Sequence, residues 1–176
     1  MVSNGDPAIA RRSVYNSPTK LRLQAAVSRY TGNSSRMRFS VDAHAIGCHL
    51  TGNEVYIRNL LNQFARIDSN NEFIAHVAKP GAERQVPAAF QIRRVSANPY
   101  RRLGLDLPPH LRRDRPDLIH VQYTGPLFCP VPVVVSVHDV SFLEYPQYFT
   151  KFRAAQLRFT VKRTVENAAR VLTPSD

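Results

Sequence analysis

The feature that most constrains the fold is an alternation of short apolar segments with longer amphipathic ones. Strand patterns are predicted over residues 38–43, 72–78, 90–96, 117–122, 131–137 and 170–175. A helix is predicted over 51–67, because apolar residues recur there at i, i+3, i+4 and i+7. Its apolar positions are Ile57, Leu60, Leu61 and Phe64. A second helix is predicted over 149–169, with apolar residues at four-residue steps. Strands that alternate with helices favour parallel pairing through crossovers, so we expect a doubly wound α/β fold with a mainly parallel sheet.

Two local signals refine this prediction. Thr51 and Glu54 form the pattern of a capping box, which predicts where the first helix begins. Residues 100–116 are expected to form a loop with one short helix, and the pair Pro108 and Pro109 suits the start of that helix. The apolar run 131–137 is typical of a central strand that is covered on both faces.

Polar residues follow three of the predicted strands, in the segments 43–52, 122–124 and 138–141. In doubly wound sheets, ligands bind beyond the carboxyl ends of the strands. We therefore expect these three segments to converge on one rim of the sheet and to form the binding site.

Each candidate residue at this rim has two interpretations. His138 can contact a ligand or belong to a structural turn, and Asp139 can orient a neighbouring amide or His138 itself. Gln122 and Tyr123 emerge at the rim as ligand candidates, whereas His120 is expected to be a core histidine.

The helix start at Thr51, Gly52, Asn53 and Glu54 offers backbone amides that favour an anion such as phosphate, or it only caps the helix. Gly52 would allow a ligand to approach the backbone closely.

The charge is strongly basic, with a net value of +11. Residues 1–36 hold six basic side chains against one acid and are expected to form a flexible basic extension ahead of a domain over 37–176. A basic balance favours nucleic acid, anionic lipid headgroups or phosphorylated substrates as partners. Most arginines of 93–115 and most basic residues of the second long helix are expected on solvated faces.

The two cysteines, Cys48 and Cys129, lack metal-ligand partners at short spacing, so we expect reduced thiols in a cytoplasmic protein and no metal site. The chain also lacks an apolar run near the ~20 residues needed to span a bilayer. Its N-terminus has no apolar segment of the kind that begins a secretory signal.

Three separated motifs resemble the N-terminal domain of family 4 (group 1) glycosyltransferases of the GT-B fold. The segment "DLIHVQYTGPLFCPVPVVVSVHDVSFLEYPQYF" is similar to the central part of that domain, in which a strand ending in His-Asp follows an earlier His-x-Gln strand. "TGNEVYIRNLL" is similar to the opening of the family's first helix, and "AARVLTPSD" to the segment that ends the N-terminal half. The likeness runs in order from Met37 to Asp176.

The resemblance implies an enzyme with two Rossmann-like domains, of which this chain holds the N-terminal, acceptor-binding one. A nucleotide-sugar would be the donor substrate and would bind mainly to the C-terminal domain, with no further cofactor, no metal and retention of anomeric configuration. His138 matches the residue that reaches the donor sugar near the reacting carbon. Gly52, Asn53 and Glu54 match a loop that approaches the donor phosphates or the acceptor. Gln122, Tyr123 and Asp139 are expected to bind substrate.

Two departures from the family pattern shape further expectations. Glu54 stands where many members have a second glycine, and an acid there would repel phosphate. The sequence ends at Asp176 before any donor domain, so we expect this chain alone to be inactive, because positioning the donor against the acceptor supplies most of the catalysis. An apolar face that would pack against the donor domain is expected to be exposed and able to support a homodimer.

The expected acceptor is a sugar, a lipid-linked molecule or a phosphorylated molecule, and an anionic membrane at the inner face of the cell is a further expected partner. The alternative function is a non-enzymatic basic module that binds nucleic acid or anionic lipid. A flavodoxin-like cofactor protein is a third alternative, but its phosphate loop would need more Ser and Thr than "AIGCHLTG" supplies.

Overall fold

The computed structural model describes residues 36–49 and 51–173, within a compact unit that begins at Arg36. The predicted extension over 1–36 lies outside the described residues except for its last position. The described strands form one parallel sheet in the order β3-β2-β1-β4-β5-β6. They are β1 Arg38–Asp42, β2 Glu72–Val77, β3 Phe90–Arg94, β4 Leu118–Gln122, β5 Val133–Ser136 and β6 Arg170–Leu172. This order confirms the predicted doubly wound, Rossmann-like α/β sheet.

Both predicted long helices are present. The described helices are α1 Thr51–Ile67, α2 Pro99–Arg101, α3 Leu107–Asp114, α4 Ser141–Glu144 and α5 Lys151–Asn167. Short 3-10 turns span Ala82–Gln85 and Pro146–Tyr148. Helix α5 is shorter than the predicted 149–169, because Thr150 caps its start by accepting a hydrogen bond from the backbone N–H of Arg153.

The segment predicted as a loop with one short helix is helical almost throughout. Helix α2 runs into a wide π turn, Arg102–Asp106, which runs into α3. Pro108 and Pro109 lie in the first turn of α3, as predicted. Neither proline has an N–H to donate back to the preceding turn, which favours the wider π turn there.

Each of the six strands is shorter than its predicted range, and two of them differ most from the prediction. The strand predicted over 131–137 is β5, Val133–Ser136, and the one predicted over 170–175 is β6, Arg170–Leu172. The backbone N–H of Val137 still donates to the carbonyl of Leu172 at 2.9 Å. Strand β5 is paired on both sides but is second from the edge of the described sheet, with Val134 only half-buried, so it is not the central strand.

Two apolar clusters hold the helices against the sheet. Ile57 and Leu61 of α1 are fully buried against β1, β2 and β3, which confirms the predicted buried face of that helix. On the other half, Val161 of α5 is buried with Leu107 and Leu111 against β4 and β5. The polar residues at the carboxyl ends of the strands are therefore attached to well-packed elements.

Candidate functional site

A large cavity lies beyond the carboxyl ends of the strands. Its volume is about 670 Å³, which is in the range of small-molecule sites. Strands β1 and β4 are neighbours although they are distant in sequence, so the strand order reverses between them, and ligands bind at such a point in doubly wound sheets. Residues that follow both strands line the cavity, including His44 after β1 and Gln122 at the end of β4. Other segments, from 99–104, 139–142 and 149–163, complete its walls.

The three polar segments predicted to converge do so. Asn53, Gln122, Tyr123 and Asp139 all line the cavity. His138, Gly52 and Glu54 are not among the lining residues of the cavity. The convergence on one rim is thus confirmed, and the functional roles of the individual residues stay predictions.

His138 lies beside the cavity and is anchored to it through Gln122. Nε2 of His138 is 3.1 Å from Oε1 of Gln122, so the imidazole N–H donates to the amide oxygen. The ring of His138 also contacts Tyr56 edge-on, with centroids 4.4 Å apart, and Tyr123 at 5.6 Å. Burial lowers the pKa of His138, while the Asp139 carboxylate acts in the opposite direction. The imidazole is therefore held in one orientation and is neutral at pH 7.

Tyr123 has a left-handed backbone, with φ of 58°. Successive side chains of a strand point to opposite faces, but this change of backbone conformation directly after β4 allows Gln122 and Tyr123 to line the same cavity. The hydroxyl of Tyr123 donates to Oδ2 of Asp139 at 2.6 Å. Burial and this hydrogen bond raise the pKa of Tyr123.

Asp139 closes the turn after β5. Its Oδ1 accepts hydrogen bonds from the backbone N–H of Ser141 at 3.0 Å and from the Ser141 hydroxyl at 2.6 Å. Hydrogen bonds from Ser141 and Tyr123 lower the pKa of Asp139, so its carboxylate is ionised at pH 7. Asp139 thus holds the turn and one wall of the cavity together.

The residues at the start of α1 differ in whether they line the cavity. Asn53 lines the cavity, whereas Oε1 of Glu54 accepts hydrogen bonds from the backbone N–H of Gly47 and from Arg58, each at 3.2 Å. The Glu54 carboxylate therefore ties the loop after β1 to the helix. The side chain of Thr51 lies outside the described part of the chain, so the predicted capping box stays a prediction.

A buried ion pair joins β1 to the π turn. Asp42 is 1% exposed and Arg102 is 6% exposed, with Oδ2 of Asp42 3.3 Å from Nε of Arg102. Nδ1 of His44 lies 3.1 Å from Oδ1 of Asp42. Burial opposes ionisation of Asp42, but His44 and Arg102 outweigh it and lower the pKa of Asp42. Most arginines of 93–115 are exposed, as expected, and Arg102 is an exception because it is buried and lines the cavity.

Helix α5 supplies the opposite wall. Arg153, Gln156, Leu157, Thr160 and Arg163 lie on one helical face and line the cavity. The amide of Gln156 donates to the hydroxyl of Tyr100 at 2.9 Å, which joins α5 to α2. Arg163 donates to the backbone carbonyl of Leu127. This wall was not predicted, because helical periodicity identifies the face that packs on the sheet and not the face that borders a cavity.

Two buried histidines lie in the sheet below the site. Nε2 of His120 is 2.8 Å from the hydroxyl of Ser136, and Nε2 of His76 is 2.8 Å from that of Ser40. Burial lowers the pKa of each histidine to about 4. The interpretation of His120 as a core histidine is confirmed.

The described residues contain no group of three or more His, Cys, Asp or Glu arranged to hold a metal ion. Within the same part of the chain, every helix is too short or too polar to cross a bilayer.

The comparison with known proteins identifies a family. The family model described as Glycosyltransferase Family 4 matches residues 50–176, which is most of the chain. A search of the curated proteins found no match. The matched region begins just ahead of α1 and includes the residues after β4 and β5 that border the cavity. The chain belongs to glycosyltransferase family 4.

Proposed function

We propose that this chain is the acceptor-side domain of a glycosyltransferase that moves a sugar from a nucleotide-sugar to an acceptor. The observation that carries the proposal is the cavity of about 670 Å³ at the carboxyl edge of the sheet. A cavity of this size, with Gln122, Tyr123 and Asp139 on its rim and apolar walls around it, suits a small acceptor or the head of a larger one.

In this proposal, His138 contacts the donor sugar near the reacting carbon. Three contacts favour that role: the hydrogen bond to Gln122 and the two tyrosines that pack against the ring. His138 is near the cavity without lining it, so it can face a donor that lies beside the acceptor. The donor itself is held by a second domain, and the transfer proceeds with retention and without a resident cofactor or metal.

The residues around His138 divide between binding and support. Asn53, Gln122 and Tyr123 are proposed to contact the acceptor directly. Asp139 shapes the rim through its bonds to Tyr123 and Ser141. Gly52 is proposed to leave space at the helix start, since no described atom lies within 4 Å of where its Cβ would be, apart from its chain neighbours and the backbone of its own helix. Glu54 is proposed to act through the Gly47 amide and not through phosphate.

This chain is proposed to transfer no sugar by itself. Holding two reactants in place accounts for much of the acceleration in bimolecular reactions, and this chain is proposed to hold one of the two. A single-turnover assay would mix the purified chain with radiolabelled nucleotide-sugars and with saccharide or lipid acceptors. We expect no labelled product. Robust transfer by this chain would overturn the proposal of inactivity.

A surface beside the cavity combines exposed aromatic and basic side chains. Tyr148, just before α5, is largely exposed, as are Phe152 and Phe159 of that helix. Lys151 and Arg158 of the same helix are exposed as well. Amphipathic surfaces of this composition bind anionic membranes, which would place the protein at the inner face of a membrane in the cytoplasm. We expect co-sedimentation with anionic vesicles at low salt and release at high salt. Equal sedimentation with neutral vesicles would contradict it.

The same exposed apolar side chains can pack against the second domain or against another copy of the chain. Tyr145 and Tyr148 lie with ring centroids 6.3 Å apart on this surface. If they support a homodimer, light scattering will give twice the monomer mass, and Tyr148→Ser will restore the monomer mass. A monomer at all concentrations would remove the dimer from the proposal.

A further inference from the structure

Arg102 has few partners for a buried cation. Only its Nε approaches Asp42, at 3.3 Å, and the geometry of that contact falls outside that of a hydrogen bond. Among the described residues, the Nε–H of Arg102 has no hydrogen-bond acceptor, although it is buried. Arg102 also lines the cavity, so its guanidinium group can meet a ligand there.

The amide nitrogen of Gln122 is a second buried donor without a partner among the described residues. Gln122 is 5% exposed and its Oε1 accepts from His138, but its Nε2 has no partner among the described residues. A buried donor without a partner costs free energy, so a ligand atom that accepts from it is favoured. Gln122 lines the same cavity as Arg102, and both groups are donors.

The charged residues that line the cavity are predominantly positive. Arg102, Arg153 and Arg163 carry three positive charges, against the negative charge of Asp139 on the lining and that of Asp42 behind Arg102. The Asp139 carboxylate already accepts hydrogen bonds from Tyr123 and Ser141. Guanidinium groups match the oxygens of phosphate in geometry and charge, and they attract it most strongly where water is displaced.

The remaining walls are mostly apolar. Leu103, Leu127, Phe142, Phe149, Leu157 and Phe159 supply them. A ligand that fills this space therefore has an anionic group near Arg102 and an apolar body against these side chains.

We infer that Arg102 is an anion-recognising residue of this cavity and that the acceptor carries a phosphate group next to an apolar portion. Gln122 donates to the same ligand through Nε2. Asp42 acts as a positioning residue, because its carboxylate holds the guanidinium group at the carboxyl end of β1. This inference rests on the proposed function, since it names the substrate class of the same cavity.

The test uses n-octyl phosphate as the probe, with n-octyl β-glucoside as a neutral ligand of the same chain length and inorganic phosphate as a ligand without the apolar part. Binding to the 176-residue chain is measured by calorimetry. We expect n-octyl phosphate to bind more tightly than either control. Weaker or equal binding relative to n-octyl β-glucoside would overturn the inference.

The variant is Asp42→Asn combined with Arg102→Gln, which removes both members of the buried pair and leaves no unpaired charge. We expect its affinity for n-octyl phosphate to fall by about tenfold or more, as for a lost charged hydrogen bond. The matched control is Arg66→Gln, an exposed arginine in the last turn of α1 outside the cavity lining, which should keep affinity within about twofold. Equal losses in both variants would show a diffuse charge effect and overturn the role of Arg102.

A measurement on the unmodified protein covers the case in which the double variant does not fold. The Nε–H resonance of Arg102 should shift on addition of n-octyl phosphate and stay in place with n-octyl β-glucoside. An unchanged resonance at saturation would overturn the inference.

Vesicles of pure phosphatidylcholine and of phosphatidylcholine mixed with phosphatidic acid identify the source of the phosphate. If binding to the mixed vesicles depends on Arg102, the group belongs to a lipid. If only n-octyl phosphate binding depends on it, the acceptor is a soluble phosphorylated molecule. If neither the binding of the mixed vesicles nor the binding of n-octyl phosphate depends on Arg102, the inference is contradicted.

The transfer reaction separates this inference from the proposed function. Transfer by the complete enzyme to a neutral acceptor, unaffected by the double variant, would overturn the inference and leave the acceptor-side role in place. Phosphate binding at Arg102 without transfer under any condition would overturn the acceptor-side role and leave only the anion-binding role of Arg102.

Discussion

Oε1 of Gln122 lies 3.1 Å from Nε2 of His138, and this contact determines which ring nitrogen carries the proton. An amide oxygen only accepts, so Nε2 is protonated and Nδ1 holds the lone pair in the neutral ring. Burial favours the neutral form as well. A glutamine at the end of one strand therefore sets the protonation of a histidine that follows the next strand.

The first prediction concerns Gln122→Glu. A carboxylate in place of the amide favours the imidazolium form, so the pKa of His138 should rise by about one unit or more. The measurement is an NMR titration of the His138 ring protons. Gln63→Glu on the exposed face of α1 adds the same charge and should leave that pKa unchanged. Equal pKa values in wild type and Gln122→Glu would contradict the contact.

The second prediction concerns the Asp42 and Arg102 pair. Asp42→Asn removes one partner and leaves the other charge buried, so unfolding free energy should fall by about 3 kcal/mol or more. Urea denaturation measures the change. The control is Glu166→Gln, which breaks the exposed pair with Lys162 and should change stability by less than about 0.5 kcal/mol. Similar losses for both variants would contradict a buried pair.

The third prediction concerns stability in acid. His76 and His120 have pKa values of about 4 when folded, whereas an unfolded histidine titrates near ~6.5. Below a pH equal to the unfolded pKa, the unfolded chain binds more protons than the folded chain. The stability that is present above that pH is therefore lost as the pH falls toward 4. Each histidine should lower the free energy of unfolding by about 2 kcal/mol between about pH 6.5 and pH 5.

Denaturation curves over this pH interval provide the measurement for the acid prediction. His76→Gln should reduce the pH dependence, since one of the two buried imidazoles is gone. Ser69→Ala changes an exposed residue without a titratable group and should leave the slope as it is in the wild type. A flat profile in the wild type would contradict the burial of the two imidazoles.

The fourth prediction concerns Ser136, whose hydroxyl lies 2.8 Å from both Nε2 of His120 and the hydroxyl of Tyr56. Ser136→Ala leaves these two polar groups without that partner, so the free energy of unfolding should fall by about 2 kcal/mol. Ser69→Ala, at an exposed position, serves as the control and should be nearly neutral. If both variants unfold at the same urea concentration, the hydroxyl of Ser136 does not link the two rings.

The fold was predictable because it depends on short-range patterns. Apolar positions of α1 at helical spacing gave the right helix bounds, and the strand patterns gave the right sheet class. The start of β5 was less well predicted, because apolar residues such as Val131 precede the paired strand. Apolar character identifies burial, and only the neighbouring strand determines where pairing stops.

The candidate site was predictable only in part. Gln122, Tyr123 and Asp139 follow strand ends, and the sheet rule brings them together. The pairing of Asp42 with Arg102 joins residues that are far apart in sequence, and a pattern of charge along the chain contains no sign of it. Arg102 falls among many surface arginines in sequence, and burial alone separates it from them.

The left-handed backbone at Tyr123 has a consequence for how this sequence can change. A side chain other than glycine in this conformation costs about 1 kcal/mol, which the packing of the Tyr123 ring and its bond to Asp139 oppose. Glycine or asparagine would relieve the backbone and remove both contacts. A redesign that scores backbone conformation alone would therefore erode the rim of the cavity before it altered the sheet.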